Sequence, residues 1–317
     1  MNKDELLNKI EQKYDDLGIP DESVLEGLLH AKTITYWDYI QTAPLLSLQA
    51  QRTNLPDEKV FIMYHQINEL LFKMVLWEMT QISQKEGLTT DFFTERLGRI
   101  SRYFDMLTTS FDIMGEGMDV EQFLQFRHTL TPASGYQSAQ YRMIEFASTE
   151  FENLVDPRFR KRVTKDTTIE EGYEDLYWQA AGKDYETGEK NIMLTLFEKK
   201  YKSRFIRFMY EYKQTNLWSR FKELPKEDQE NIGLINAMRH YDHTVNVKWV
   251  MAHYNTTGKY LTAEGNESEA TGGSPWRKYM HPKYQKRIFF PDLWSKEEVE
   301  NWGVTNLDSY KVLETVQ

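Results

Sequence analysis

Apolar residues along most of this chain recur at intervals of three and four, the spacing that gathers side chains on one face of an α-helix. The clearest run extends from Pro56 to Ile82. Proline at the first helical position, followed by the acids Asp57 and Glu58, makes a favourable first turn, because the free N–H groups there attract negative charge. Val60, Met63, Tyr64, Ile67, Leu70, Leu71, Met74, Val75 and Met79 then wrap much of the helix circumference. A helix of this kind is covered on several sides, so an inward polar residue on it needs a partner or a task. Further helices are predicted at about 3–16, 36–50, 90–113, 119–129, 134–150, 191–222 and 227–260.

Two stretches break the pattern. Asp156–Glu171 is charged and poor in apolar residues, and Leu261–Ser274 carries Gly265, Asn266 and the Thr271-Gly272-Gly273-Ser274 run; both read as loops. The chain has only 9 Pro and 16 Gly and no internal repeat or separating linker, which predicts one all-α, helical bundle-type domain over 1–317. The Trp276–Trp302 segment, with Phe289-Phe290-Pro291 inside it, is expected to form an aromatic flap on the body or on a neighbouring subunit.

Charge and composition narrow the function. Lys+Arg 39 against Asp+Glu 49 leaves a net −10, so the average field repels phosphate backbones and anionic lipid, which argues against a general nucleic-acid binder. No apolar leader opens the chain and no stretch reaches the roughly 18 apolar residues of a membrane span, so a cytoplasmic protein with no membrane partner is expected. The absence of cysteine excludes disulfides, thiolate zinc sites, iron–sulfur clusters and a cysteine nucleophile, and leaves any metal to His, carboxylate or Tyr. Trp 8, Tyr 19 and Phe 17 could furnish a core, subunit interfaces or a pocket for a flat ligand.

The histidines are the main metal reservoir. His65 lies within the apolar helix, one turn after Phe61; from spacing alone it reads as a core histidine bonded to a carbonyl or carboxylate. His240 and His243 share a helix face at a spacing that suits zinc, but no third ligand accompanies them, and no pair of Glu-x-x-His motifs exists for a di-iron site. A haem asks for less, one axial histidine in an aromatic cage. Ser134 with Gln137 has the pattern of a capping box at a helix start, where free N–H groups suit an anion, and Arg127 could present a planar fork to a carboxylate or sit in a surface ion pair.

Three separated segments then converge. Phe61-Ile62-Met63-Tyr64-His65-Gln66 with Glu69-Leu70, Phe126-Arg127 leading into Pro132-Ala133-Ser134-Gly135-Tyr136-Gln137-Ser138, and Thr271-Gly272-Gly273-Ser274 closely resemble the tryptophan 2,3-dioxygenase family in residues, order and approximate spacing. The likeness begins at Tyr36-x-x-Tyr39-Ile40, thins between about 151 and 235, read as a less similar helical insert, and returns around Trp249–Ser274.

The resemblance implies an all-helical homotetramer with a haem b pocket between helices, which uses O2 to cleave the indole C2–C3 bond of L-tryptophan and gives N-formyl-L-kynurenine. His65 matches the distal histidine that accepts the indole N–H, Phe61 the aromatic that walls the indole, and Arg127 the clamp on the substrate carboxylate. Thr271 matches the threonine that holds the amino-acid end as its loop closes, while Ser134 and Gly135 match positions beside a haem propionate and the pocket floor. Tyr36, Tyr39 and Ile40, within a segment of about 1–50, match residues that reach a neighbouring subunit's pocket. Phe123 stands where some members carry a tyrosine. Trp249-x-x-x-His253 with Lys259 assigns the iron to His253, with His243 as the runner-up, and a second acceptor is expected on the other ring nitrogen. From His253 to Thr271 is eighteen residues, about one helical turn longer than the family's usual spacing. A haem monooxygenase hydroxylating an indole or a phenol such as tyrosine, and a haem carrier without turnover, are the competing readings.

Overall fold

The computed structural model describes residues 1–164, 166–261, 277 and 280–304. Among the described residues the regular structure is helical, with only two isolated bridges, Val155–Leu176 and Lys183–Lys190, so the all-α expectation holds. The chain divides into two compact units, Met1–Ala50 and Gln51–Gln317.

The first unit comprises α1 (Lys3–Asp15), α2 (Asp21–His30), α3 (Tyr36–Ile40) and α4 (Thr42–Leu45). α1 starts in a capping box between Asn2 and Glu5. The helix expected over 36–50 is broken at Gln41, whose φ of 58° is left-handed and ends one short helix as it starts the next. α2, following Pro20, has no counterpart in the sequence reading. No side chain of these helices is buried, and Tyr36, Trp37, Tyr39 and Ile40 are exposed.

The second unit opens with α5 (Pro56–Ser83), α6 (Thr90–Thr109), α7 (Phe111–Gly115) and α8 (Val120–Arg127), then α9 (Ala139–Ser148). It continues through short α10 (Phe151–Leu154) and α11 (Ile169–Tyr173), long α12 (Ile192–Tyr212), α13 (Leu217–Lys222), α14 (Lys226–Gln229), α15 (Ile232–His243) and α16 (Trp249–Leu261). Among the described residues two short helices, α17 (Pro282–Gln285) and α18 (Lys296–Glu300), follow. α5 packs on α6 and α9, α6 on α15, and α9 on α12. The seam is built by Val75, Met79 and Ile82 of α5 and by Phe93, Leu97, Ile100, Phe104 and Leu107 of α6, all inaccessible to solvent. The alternating steps of four and three put the α6 residues on one stripe, and each buried side chain of this size contributes roughly 1.5–3 kcal/mol of transfer free energy.

α9 is the central helix, buried from Tyr141 through Ser148 although Arg142 and Glu145 are charged. Its start differs from expectation. The Ser134–Gln137 capping box exists but closes the single 3₁₀ turn Gly135–Gln137, and α9 is capped by Ser138, whose Oγ accepts from Tyr141 N. α15 and α16 run on through a π-turn, Thr244–Lys248, where the amide of Trp249 donates to Thr244 O. The aromatic flap packs on its own chain, with Phe289 and Phe290 wholly buried and Trp294 and Trp302 nearly so.

Candidate functional site

α5 begins against α8: Asp57 N donates to Gln122 Oε1 (3.2 Å) and Asp119 N donates to Asp57 Oδ2 (2.6 Å). This docking brings Phe61 of α5 onto Phe126 and Phe123 of α8, with ring centroids 5.5 and 6.0 Å apart. Arg127, the last residue of α8, is only 6% exposed, and an ion pair out in solvent is therefore not its setting.

One turn beyond Phe61, the His65 ring lies against it, tilted by 36° with centroids 4.1 Å apart, and donates from Nδ1 to the Phe61 carbonyl at 2.8 Å. A carbonyl only accepts, so the proton is assigned to Nδ1 and the neutral ring keeps its lone pair on Nε2. Solvent reaches the ring, yet protein atoms crowd round it, as for a side chain lining a cleft. Burial holds the His65 pKa below the usual imidazole value, outweighing the Phe61 carbonyl and Glu69, which pull it up.

His253, the fifth residue of α16, faces the same space as His65. Burial first, and then the charge His65 would carry, depress its pKa to about 4, so both rings are neutral near pH 7 and able to ligate or accept. Phe111 stacks on His253 at 5.4 Å with rings inclined by 15°, and Trp249 lies 6.0 Å away. Gly135 brings its backbone to this ring: a Cβ there would lie 3.7 Å from Cε1, in ordinary contact. The acceptor expected on the second ring nitrogen is not found among the described residues; aromatic faces flank the imidazole in its place. Lys259 Nζ donates instead to Gly115 O, and Tyr260 OH to Met114 O, which clamp the end of α16 onto α7.

His243 sits elsewhere, nearly buried between Trp294 and Trp302 at 6.0–6.5 Å, and His240 turns to Asp105. The two therefore do not converge on one ion. Thr271 and its Gly272-Gly273-Ser274 neighbours lie outside the described residues. A separate cavity lined by Phe146, Thr149, Phe151, Met209 and Tyr212 holds none of the predicted site residues.

Glu69, one turn after His65, accepts from Ser138 Oγ (2.6 Å) and from Gln140 Nε2 (2.8 Å), tying the His65 helix to the Gly135 segment. Phe111 and Tyr141, whose ring lies 4.7 Å from Trp249, escaped the sequence reading, since nothing local marks either as more than core.

Could these residues hold a haem? Among the described residues no group of three His, Asp or Glu could bind a bare ion, whereas one neutral imidazole in an aromatic cage matches what an iron porphyrin asks of a protein. Trp249 Nε1 is buried with no partner among the described residues, a donor left for an acceptor beside His253. The residues fit.

What the geometry defines is an all-helical protein whose aromatic-walled cleft is faced by two neutral histidines on different helices. Comparison with known sequences places it more narrowly: the family model described as Tryptophan 2,3-dioxygenase matches residues 26–223, and the chain belongs to that family. The match includes His65, Arg127, Ser134 and Gly135 and stops before His253. Proteins named tryptophan 2,3-dioxygenase from Ruegeria sp., Bacillus thuringiensis and Xenopus tropicalis are 36%, 34% and 33% identical to it, over 37%, 40% and 42% of this chain. The matched part spans less than half of those relatives: 42%, 47% and 36% of their lengths.

Proposed function

We propose that this protein is a haem-dependent dioxygenase that inserts both atoms of O2 across the indole C2–C3 bond of L-tryptophan to give N-formyl-L-kynurenine. The observation that carries the reading is the fixed tautomer of His65: with Nδ1 committed to the Phe61 carbonyl, Nε2 is left as an acceptor for an indole N–H. His253 would hold haem b by the iron, with Ser134 and Gly135 beside it. Haem, when bound, supplies the iron that activates dioxygen.

The chain's own residues do the rest. Phe61, backed by Phe123 and Phe126, walls the flat indole. Arg127 pairs with the substrate carboxylate, a charge-assisted contact worth about 1.5–3 kcal/mol. His65 accepts the indole N–H and so fixes the rotation of the ring; its role is orientation, not obligatory proton removal. Thr271 would contact the amino-acid end of the substrate.

We infer a cytoplasmic homotetramer in which Tyr36, Tyr39 and Ile40 reach a neighbour's pocket. Their exposure supports this, as does the uncovered stripe Met63, Ile67, Leu70, Met74 and Trp77 along α5, whose steps of four and three make a seam another helix can fill. No helix among the described residues is long and apolar enough to cross a membrane.

The test is to reconstitute the protein with haem, reduce it, add L-tryptophan and air, and follow formylkynurenine absorbance together with product mass. Gain of two oxygen atoms supports the reading. A single oxygen assigns a monooxygenase, and no spectral response to tryptophan assigns a carrier.

A further inference from the structure

A π-turn is rare and occurs mostly as a single bulge inside an α-helix, frequently at a functional site. The turn at Thr244–Lys248 separates, along the chain, Asp242, which the C-terminal flap contacts, from His253. In an uninterrupted α-helix the eleven residues from Asp242 to His253 would turn through ~1100°, leaving His253 only ~20° from the face of Asp242. That is the face the flap occupies. Asp242, wholly buried, accepts from Phe289 N (3.0 Å), Phe290 N (3.1 Å), Trp294 Nε1 (2.9 Å) and Asn246 Nδ2 (2.6 Å). His253 instead contacts Phe111 and approaches Gly135, because the extra residue of the π-turn sets α16 back by roughly 100°.

Asn246, 2% exposed, lies in the middle of that turn and is bonded on both sides. Its amide nitrogen donates to Asp242, and its carbonyl accepts from Arg287 Nε. Arg287 is itself locked in a buried network: it pairs with Glu145 and donates to Tyr177 OH and to Tyr141 OH (2.8 Å). Glu145 also pairs with Arg142 at 3.0 Å. Tyr141 returns to the site by packing on Trp249, one turn before His253. Burying these charges costs desolvation that apolar packing would avoid, and Arg142 Nε finds no hydrogen-bond partner among the described residues, so what the network contributes is the geometry it imposes.

We propose that Asn246 is a positioning residue: by bonding Asp242 and Arg287 together it holds the π-turn, and the π-turn aims His253 at the His65 side of the helix instead of at the flap. The inference rests on the reading of His253 as the iron ligand only for its consequence in the haem-bound protein; the conformational part stands in the haem-free chain.

The test uses Asn246→Leu, which keeps the branched shape of the side chain and removes both bonds, alone and combined with deletion of Lys248. Deleting one residue from the bulge restores a plain α-helix without changing the faces of α15 or α16, so His253 keeps its direction whether or not Asn246 is present. Two readouts are taken on the full chain: amide exchange at 244–249 without haem, and the iron–imidazole stretching band in the resonance Raman spectrum of the ferrous haem protein. Asn246→Leu is expected to lower protection of those amides by roughly tenfold or more and to lose or shift the band; the double variant is expected to regain both. Wild-type protection and band in Asn246→Leu would overturn the proposal. So would failure of the Lys248 deletion to restore them, because Asn246 would then be acting as core packing alone. If the wild type itself shows no iron–imidazole band, the haem reading fails, and amide exchange still decides the role of Asn246: unchanged protection in Asn246→Leu overturns it, and lost protection regained on deletion supports it.

Discussion

Glu69 and Ser138 are sixty-nine residues apart in sequence and 2.6 Å apart in space, and their hydrogen bond fastens the helix that carries His65 to the segment that carries Gly135. Ser138 serves twice, since its Oγ also caps α9 by accepting from Tyr141 N. Ser138→Ala is expected to cost about 1 kcal/mol through the lost cap and to leave Glu69 with fewer donors. Thermal melting measures the first effect. Activity should fall further than the melting temperature explains, because the two walls of the cleft lose their tie; parallel changes in both would refute the link.

His65→Ala should weaken turnover without abolishing it. The loss is one hydrogen bond to a neutral acceptor, about 0.5–1.5 kcal/mol, hence roughly three- to tenfold in kcat/KM. Complete inactivity with haem occupancy and tryptophan affinity intact would show that the ring removes a proton and does more than orient.

Arg127→Leu is expected to raise KM for L-tryptophan by about ten- to a hundredfold, the equivalent of about 1.5–3 kcal/mol. The same substitution should scarcely change binding of an indole that lacks a carboxylate. Equal losses for both ligands would place the guanidinium in the fold and not at the substrate.

pH acts through the histidines. His253 is depressed from its ordinary value of 6.5 to about 4, so the unfolded chain takes up this proton more readily than the folded one. The stability it contributes is complete above pH 6.5 and is lost as the pH falls toward 4. Melting temperature measured across that window should decline in the wild type and decline less in His253→Gln. Haem affinity should fall over the same range, since a proton on His253 occupies the lone pair that binds iron. A melting profile unchanged by His253→Gln would mean the ring is not held neutral by its surroundings.

Much of this molecule is legible in its residues one after another, because helices are made by local bonds and local spacing. The Pro56 start and apolar period of α5, the stripe along α6, the Ser134–Gln137 box and the His65 and Arg127 motifs all express themselves within a few positions. Where partners are distant the residues are silent. That Gln41 turns left-handed, that Ser138 and not Ser134 caps α9, and that Glu145, Asp242 and Arg287 are buried together could be suspected only from charges inside apolar runs. The direction of His253 is the deepest case. Its place on a helix follows from its own neighbours, but the face it shows depends on a one-residue bulge held by contacts from some forty residues downstream, and only the packed chain decides that balance.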